Sequence, residues 1–87
     1  MNIAHLLLTC EENKNEILYN KIKNVKSVNQ ISKTFGAYNM VVKIKAKSNQ
    51  EIMQSIKQIK NFPEIEFAIT LMTPSQHDQM TNKIKVK

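Results

Sequence analysis

The stretch Tyr38-Asn39-Met40-Val41-Val42-Lys43-Ile44-Lys45-Ala46 decides the fold, because its apolar residues alternate with polar ones in the two-residue period of a β-strand. The segment that follows, Ser48-Asn49-Gln50-Glu51, is a capping box. In it the serine side chain can accept a hydrogen bond from a backbone amide of the first helical turn, while the glutamate side chain reaches back to the serine. Isoleucines at positions 52, 56 and 59 continue at helical spacing, and Asn61 and Pro63 end the helix. Residues 64–73 alternate again, so this half of the chain predicts strand, helix, strand.

The first half of the chain repeats the same unit. Residues 3–10 are apolar on both faces, as in a central strand, and a short amphipathic helix follows after residues 11–13. A more polar outer strand is predicted between residues 25 and 35. Gly36 stands between two strands and marks a tight turn with positive φ. Residues 23–28 echo residues 60–65, which supports an internal duplication.

Two such units predict an α+β, ferredoxin-like βαββαβ fold, in which a four-stranded antiparallel sheet carries both helices on one face. Residues 1–73 make one domain. Residues 74–87 are polar, and we expect a flexible tail there, with residues 84–86 as an optional last strand.

The helices leave one face of this sheet uncovered. Strict alternation places Tyr38, Met40, Val42 and Ile44 of one strand, and Ile65, Phe67, Ile69 and Leu71 of another, against the helices. The uncovered face then carries Val41, Ala68, Thr70 and Met72. Because an exposed apolar patch of this kind usually marks an interface, we expect a homodimer whose sheets pack face to face through Val41, Thr70 and Met72.

Composition limits the function further. The formal charge is +6, and all thirteen basic residues are lysines. Since base readout relies on arginine, we expect no specific DNA binding by this chain alone. The single cysteine, Cys10, excludes an internal disulfide and a CxxC motif. No apolar run is long enough to span a membrane, so we expect a cytoplasmic protein with no membrane association.

Two segments are similar to the Lrp/AsnC family of transcription regulators. Gly36-Ala37-Tyr38-Asn39, followed by an apolar strand, resembles the Gly-x-Tyr-Asp motif of the family's ligand-binding (RAM) domain. Residues 65–72 resemble the domain's last strand. Asn39 replaces the usual Asp, and Ala68 replaces the first Thr of a Thr-x-Thr pattern. Because the first strand begins at residue 2 or 3, we expect the stand-alone form without a helix-turn-helix.

The resemblance implies a dimeric effector-binding module of transcription regulation. Such domains bind an amino acid, assemble into dimers or rings of four or eight, and can join full-length relatives. Carried over to this sequence, the ligand-binding residues are Gly36, Ala37, Tyr38, Asn39, Ala68 and Thr70.

No catalytic or metal-binding constellation is evident, and no cofactor is expected. His5 and His77 are far apart in sequence, and Cys10 has no evident activating base. We therefore expect a non-enzyme. The alternatives are a nucleic-acid-binding ferredoxin-like domain, which would need aromatic residues on the exposed sheet face, and a pure assembly partner of full-length regulators.

Overall fold

A computed structural model describes residues 1–34 and 36–73 of the chain. The elements are β1 (Asn2–Cys10), a 3₁₀ turn (Glu12–Lys14), α1 (Asn15–Ile22), β2 (Val28–Lys33), β3 (Met40–Ala46), α2 (Asn49–Lys60) and β4 (Ile65–Thr73). The strands form one sheet in the order β2-β3-β1-β4, with antiparallel neighbours throughout. The predicted α+β, ferredoxin-like fold is confirmed. The predicted flexible tail and optional strand at residues 84–86 lie outside the described residues.

The core lies between the helices and one face of the sheet. Alternate residues of β1 and β3 are fully buried there, together with one stripe of each helix. The largest of these side chains are Leu6, Leu8, Leu18, Ile22, Met40, Val42, Ile44, Ile52 and Ile59. Both helices therefore pack on the same face, as the periodicity of the sequence predicts.

The internal duplication is visible in the backbone hydrogen bonds that follow each helix. After α1, the Val25 N–H donates to the Ile22 carbonyl, and the Val28 N–H donates to the Val25 carbonyl. After α2, Phe62 donates to Ile59 and Ile65 donates to Phe62 in the same way. The two helix-to-strand connections thus share one hydrogen-bond pattern, although the first contains a positive φ, at Ser27, that the second lacks.

The predicted N-cap of α2 is present. The Ser48 side chain accepts a hydrogen bond of 3.2 Å from the Glu51 backbone amide. The Glu51 carboxylate accepts a hydrogen bond from the Ser48 hydroxyl at 3.4 Å, so Glu51 contacts the side chain of the capping residue. The cap satisfies one of the amides that a helix start leaves free.

The predicted orientation of β4 is wrong, and a β-bulge explains the error. Ile65 pairs with Cys10 and Phe67 pairs with Thr9, so Glu66 is an extra residue in β4. Beyond the bulge, Ala68, Thr70 and Met72 pair with Leu8, Leu6 and Ala4, whose side chains are buried under the helices.

It follows that Thr70 and Met72 lie on the helix-covered face, not on the uncovered face to which alternation assigned them. Ala68 also packs against the core. Phe67, Ile69 and Leu71, predicted to face the helices, point to the uncovered side instead. Val41 lies on the uncovered face as predicted, because it pairs with Leu7 and not with a core residue.

The uncovered face is consequently more apolar than expected. We call its apolar residues the open-face patch: Ile3, Leu7, Val41, Phe67, Ile69 and Leu71. Phe67 is 56% exposed and Leu71 is 52% exposed. The β2–β3 half of the same face is polar, with a shallow hollow of about 160 Å³ lined by His5, Gln30, Ser32, Val41 and Lys43.

Candidate functional site

In the connection between β2 and β3, residues 34, 38 and 39 are joined by hydrogen bonds to one another and to β1. Gly36 has φ of +107°, a backbone conformation that L side chains rarely adopt, which confirms the positive φ predicted for it. The Thr34 N–H donates to the Asn39 carbonyl at 3.0 Å, and the Thr34 hydroxyl donates to the Tyr38 carbonyl. The Asn39 N–H donates to the Leu8 carbonyl at 2.9 Å, which ties the turn to β1.

The Asn39 side chain joins this turn to the end of β1. Its Oδ1 accepts from the Cys10 N–H at 2.8 Å, so the oxygen of the amide must point toward Cys10. The Cys10 thiol donates in turn to Asn15 Oδ1 at 2.8 Å, at the start of α1. Burial, followed by the negative charges of Glu66, Glu11 and Glu64, raises the pKa of the Cys10 thiol. Cys10 is therefore a neutral structural link and is not an activated nucleophile.

These contacts surround a hollow of about 370 Å³ at the same end of the sheet. It is lined by Glu12, Asn15, Lys33, Thr34, Gly36 and Asn39, and we call it the turn hollow. Its volume lies within the range typical of small-molecule sites. It carries one carboxylate, from Glu12, and one ammonium, from Lys33. Such a lining can bind a small zwitterion, because each charge of the ligand would meet its opposite.

Lys33 is positioned by an aromatic ring. Its Nζ lies 5.8 Å from the centroid of Tyr19, which is within cation–π range. Lys23 lies over the same ring at 5.9 Å, but it does not line the turn hollow. The two lysines therefore share a contact and differ in their access to the hollow.

The structure brings together part of the predicted ligand-binding set. Gly36 and Asn39 line the turn hollow, and Ala37 and Tyr38 belong to the same turn. Ala68 and Thr70 lie on β4, across β1 from this turn and on the helix-covered face, and they do not line the hollow. The Thr70 hydroxyl is buried, and it has no hydrogen-bond partner within residues 1–34 and 36–73.

Sequence reasoning missed Glu12, Asn15, Lys33 and Thr34. The signal that could have identified them is topological. In a βαββαβ fold the β1–α1 and β2–β3 connections lie at the same end of the sheet, and the pairing of Leu8 with Met40 brings them together. Within the described residues, no three His, Cys, Asp or Glu side chains are grouped as a metal site would require, and no helix is long and apolar enough to cross a membrane.

The fold is shared with solved regulator structures. The chain is similar to FFRP-DM1, with a TM-score of 0.78, 23% identity, and coverage of 85% of this chain and 100% of the other. It is similar to AsnC from E. coli at a TM-score of 0.73 and 17% identity, covering 99% of this chain and 55% of AsnC.

A third similar structure is the feast or famine regulatory protein from M. tuberculosis complexed with L-methionine. The TM-score is 0.68 at 8% identity, over 100% of this chain and 58% of that protein. No protein-family profile matches the sequence, and no curated protein is significantly similar to it. At these identities the comparisons establish the fold, which is the one that the Lrp/AsnC resemblance implies.

Proposed function

We propose that this chain is an effector-binding and assembly module of the Lrp/AsnC type, and that the turn hollow binds a free amino acid. The observation that carries the proposal is the pair of opposite charges, Glu12 and Lys33, that flanks the Gly36 turn. A similar fold carries L-methionine in the M. tuberculosis regulator, which supports a small-molecule ligand. The proposed role is regulatory and non-enzymatic, and the neutral, buried Cys10 suits a reducing cytoplasm.

The ligand would be oriented by its charges. Its carboxylate would meet the Lys33 ammonium and the backbone amides of residues 36–38, and its ammonium would meet Glu12. The backbone N–H of Asn39 already donates to the Leu8 carbonyl, so it is not available to the ligand. Because Asn39 Oδ1 accepts from Cys10, the Nδ2 end of this side chain would face the hollow, where it offers no acceptor to the ligand's ammonium. Thr70, which does not line the turn hollow, would not contact the ligand.

Assembly would use the open-face patch. The patch places six apolar side chains on one sheet face, and Phe67 and Leu71 are about half exposed. Leaving so much apolar surface in water is unfavourable for an isolated domain of this size, and such patches usually mark an interface. Burying roughly 300 Å² of apolar surface per subunit at about 25 cal/mol per Å² would contribute on the order of 15 kcal/mol per dimer before association costs. Face-to-face packing of two sheets is a standard geometry, and such dimers could assemble further into rings or join full-length regulators.

Calorimetry with the twenty amino acids tests the ligand. We expect at least one amino acid to bind, and Lys33→Ala to weaken it by about tenfold or more, since a charge-assisted hydrogen bond contributes roughly 1.5–3 kcal/mol. Lys23→Ala is the matched control, because it also loses the contact with Tyr19 but does not line the hollow. Equal losses for the two lysines would contradict the site.

Two variants of the turn extend this test. Gly36→Val should abolish binding and reduce stability, because a β-branched residue is strained at φ of +107°. Asn39→Asp keeps the acceptor for Cys10 and replaces Nδ2 by a carboxylate oxygen, so we expect stronger or broader binding through the ligand's ammonium. If neither wild type nor Asn39→Asp binds any amino acid at millimolar concentration, the chain is better described as a pure assembly partner.

One observation favours nucleic-acid binding as a second candidate. Phe67 lies exposed on the open sheet face, and Lys43 and Lys45 of β3 point to the same face. However, the central strands β1 and β3 present no Phe, Tyr or Trp on that face within the described residues. Binding that is sequence-blind and lost by about 200 mM salt would fit a lysine-only surface. A specific footprint at that salt would instead favour this second function.

A further inference from the structure

We propose that the outer flank of α2 is a docking surface for an acidic, amphipathic segment of a different protein. The surface is a groove of about 390 Å³ lined by Met53, Ile56, Lys57, Lys60 and Asn61, which we call the α2 groove. It is independent of the turn hollow and of the open-face patch, and the proposed function does not use it.

The floor of the α2 groove includes an apolar residue, Met53, that lies outside the buried core of the domain. The core stripe of α2 consists of Ile52, Ile56 and Ile59, all buried. Met53 lies beside this stripe and is 53% exposed, so a polar residue at 53 would serve the core equally well. Methionine is unbranched and polarisable, and it is common at surfaces that adapt to a bound apolar side chain.

The groove faces β4, an edge strand of the sheet that residues 1–34 and 36–73 form. Ser55, on the other flank of α2, donates its hydroxyl to the Lys26 carbonyl in the connection before β2, so that flank faces the β2 side. Met53, Lys57 and Lys60 are therefore on the flank toward β4, which is an edge strand. On the same face of the sheet Met72 of β4 is 44% exposed, which adds a second exposed methionine on this side of the molecule.

Charge identifies the kind of occupant. Lys57 and Lys60 are exposed at the rim, whereas the ion pairs within residues 1–34 and 36–73 are Lys14–Glu11 and Lys21–Glu64. Two ammonium groups that form no ion pair with the described residues, beside an apolar floor, are complementary to a segment that carries both apolar side chains and carboxylates.

The chain itself is a poor occupant for the same reason. Residues 74–87 contain Lys83, Lys85 and Lys87 against a single carboxylate, Asp78. A second copy seated groove to groove would bring its own lysines against these, and like charges across an interface are unfavourable. A separate acidic partner is the occupant that the charges favour. Its binding would follow the helix-in-groove mode, with apolar anchors at helical spacing over Met53 and Ile56.

Methyl NMR of the full chain tests this proposal. The chain is labelled at its methionine methyl groups and titrated with a synthetic helical peptide that carries leucines on one face and glutamates on the other. We expect the Met53 methyl resonance to shift on titration, followed by that of Met72. The Met40 methyl, which is fully buried, reports any change in fold. The Lys57→Glu/Lys60→Glu variant should weaken peptide binding at least tenfold.

The matched control is Lys23→Glu/Lys26→Glu, which makes the same change in net charge at the same spacing on another exposed surface. If both double variants lose the peptide equally, the attraction is general and the proposal fails. It also fails if Met53 shifts with protein concentration alone, which would indicate a second copy. A Met53 shift caused by changing Ile84 and Val86 to Gln, with no peptide present, would place the chain's own tail in the groove and overturn the proposal as well.

Discussion

Two adjacent residues of β4 test which face of the sheet forms the proposed dimer. Leu71 and Met72 are similarly exposed, at 52% and 44%, but they point to opposite faces. Leu71 belongs to the open-face patch, and Met72 lies on the helix-covered face. Leu71→Lys should therefore weaken the dimer strongly, and Met72→Lys should leave it unchanged.

The magnitude follows from the exposed half of Leu71. Full burial of a leucine side chain contributes about 1.5–3 kcal/mol, so the half that the monomer leaves in water would contribute roughly 1 kcal/mol in the dimer. A two-fold interface contains the residue twice, which gives about 2 kcal/mol and roughly a 30-fold increase in Kd. Burial of two unpaired ammonium groups adds to this loss.

Sedimentation equilibrium over a range of micromolar concentrations measures Kd for the three proteins. Wild type and Met72→Lys should sediment at twice the 10.1 kDa chain mass, and Leu71→Lys should shift toward the monomer. Thermal unfolding of each variant serves as the control for the fold. A monomeric wild type would refute the reasoning, and so would a Met72→Lys variant that dissociates as readily as Leu71→Lys.

Three further predictions follow from the structure. The Cys10 thiol should react slowly with a thiol reagent in the folded protein and rapidly after unfolding, because its pKa is raised by burial and nearby carboxylates; equal rates would contradict this. The two hydrogen bonds from the Lys21 ammonium, at 2.8 and 3.0 Å, lower the pKa of Glu64. The stability they contribute is therefore present above a pH of about 4.3 and is lost as the pH falls through the lowered pKa, so Glu64→Gln should flatten the acid side of a plot of Tm against pH. Deleting Glu66 should preserve the fold and the dimer, since it removes the bulge without changing the face of any later residue, whereas deleting Ala68 should disrupt both.

The fold could be predicted because its signals are local. The alternation of residues 38–46, the isoleucine spacing of α2 and the Ser48 cap each depend on neighbours within a few positions, and each predicts the element that the structure contains. Gly36 belongs to the same class. A lone glycine between two strand-like segments predicts a positive φ, and the structure has +107° there.

The turn hollow could be predicted only in part because its lining comes from two connections. Gly36 and Asn39 belong to a recognisable motif, whereas Glu12 and Lys33 become neighbours through the pairing of β1 with β3. Nothing in the sequence around Glu12 distinguishes it from Glu11, which pairs with Lys14 at 3.5 Å and does not line the hollow. Whether a residue lines the hollow depends on the register between the strands, and a single sequence does not reveal that register.

The orientation of β4 shows most clearly where alternation fails, and it strengthens the case for a partner. Both faces of this strand are largely apolar, so the pattern alone cannot choose between Phe67, Ile69 and Leu71 on one side and Ala68, Thr70 and Met72 on the other. Size would favour burying the first set. The bulge at Glu66 does the opposite, because it directs the larger side chains to the uncovered face and the smaller ones under the helices. An isolated monomer gains nothing from that arrangement, whereas a protein that covers its open sheet face with a second copy gains the burial of its largest β4 side chains.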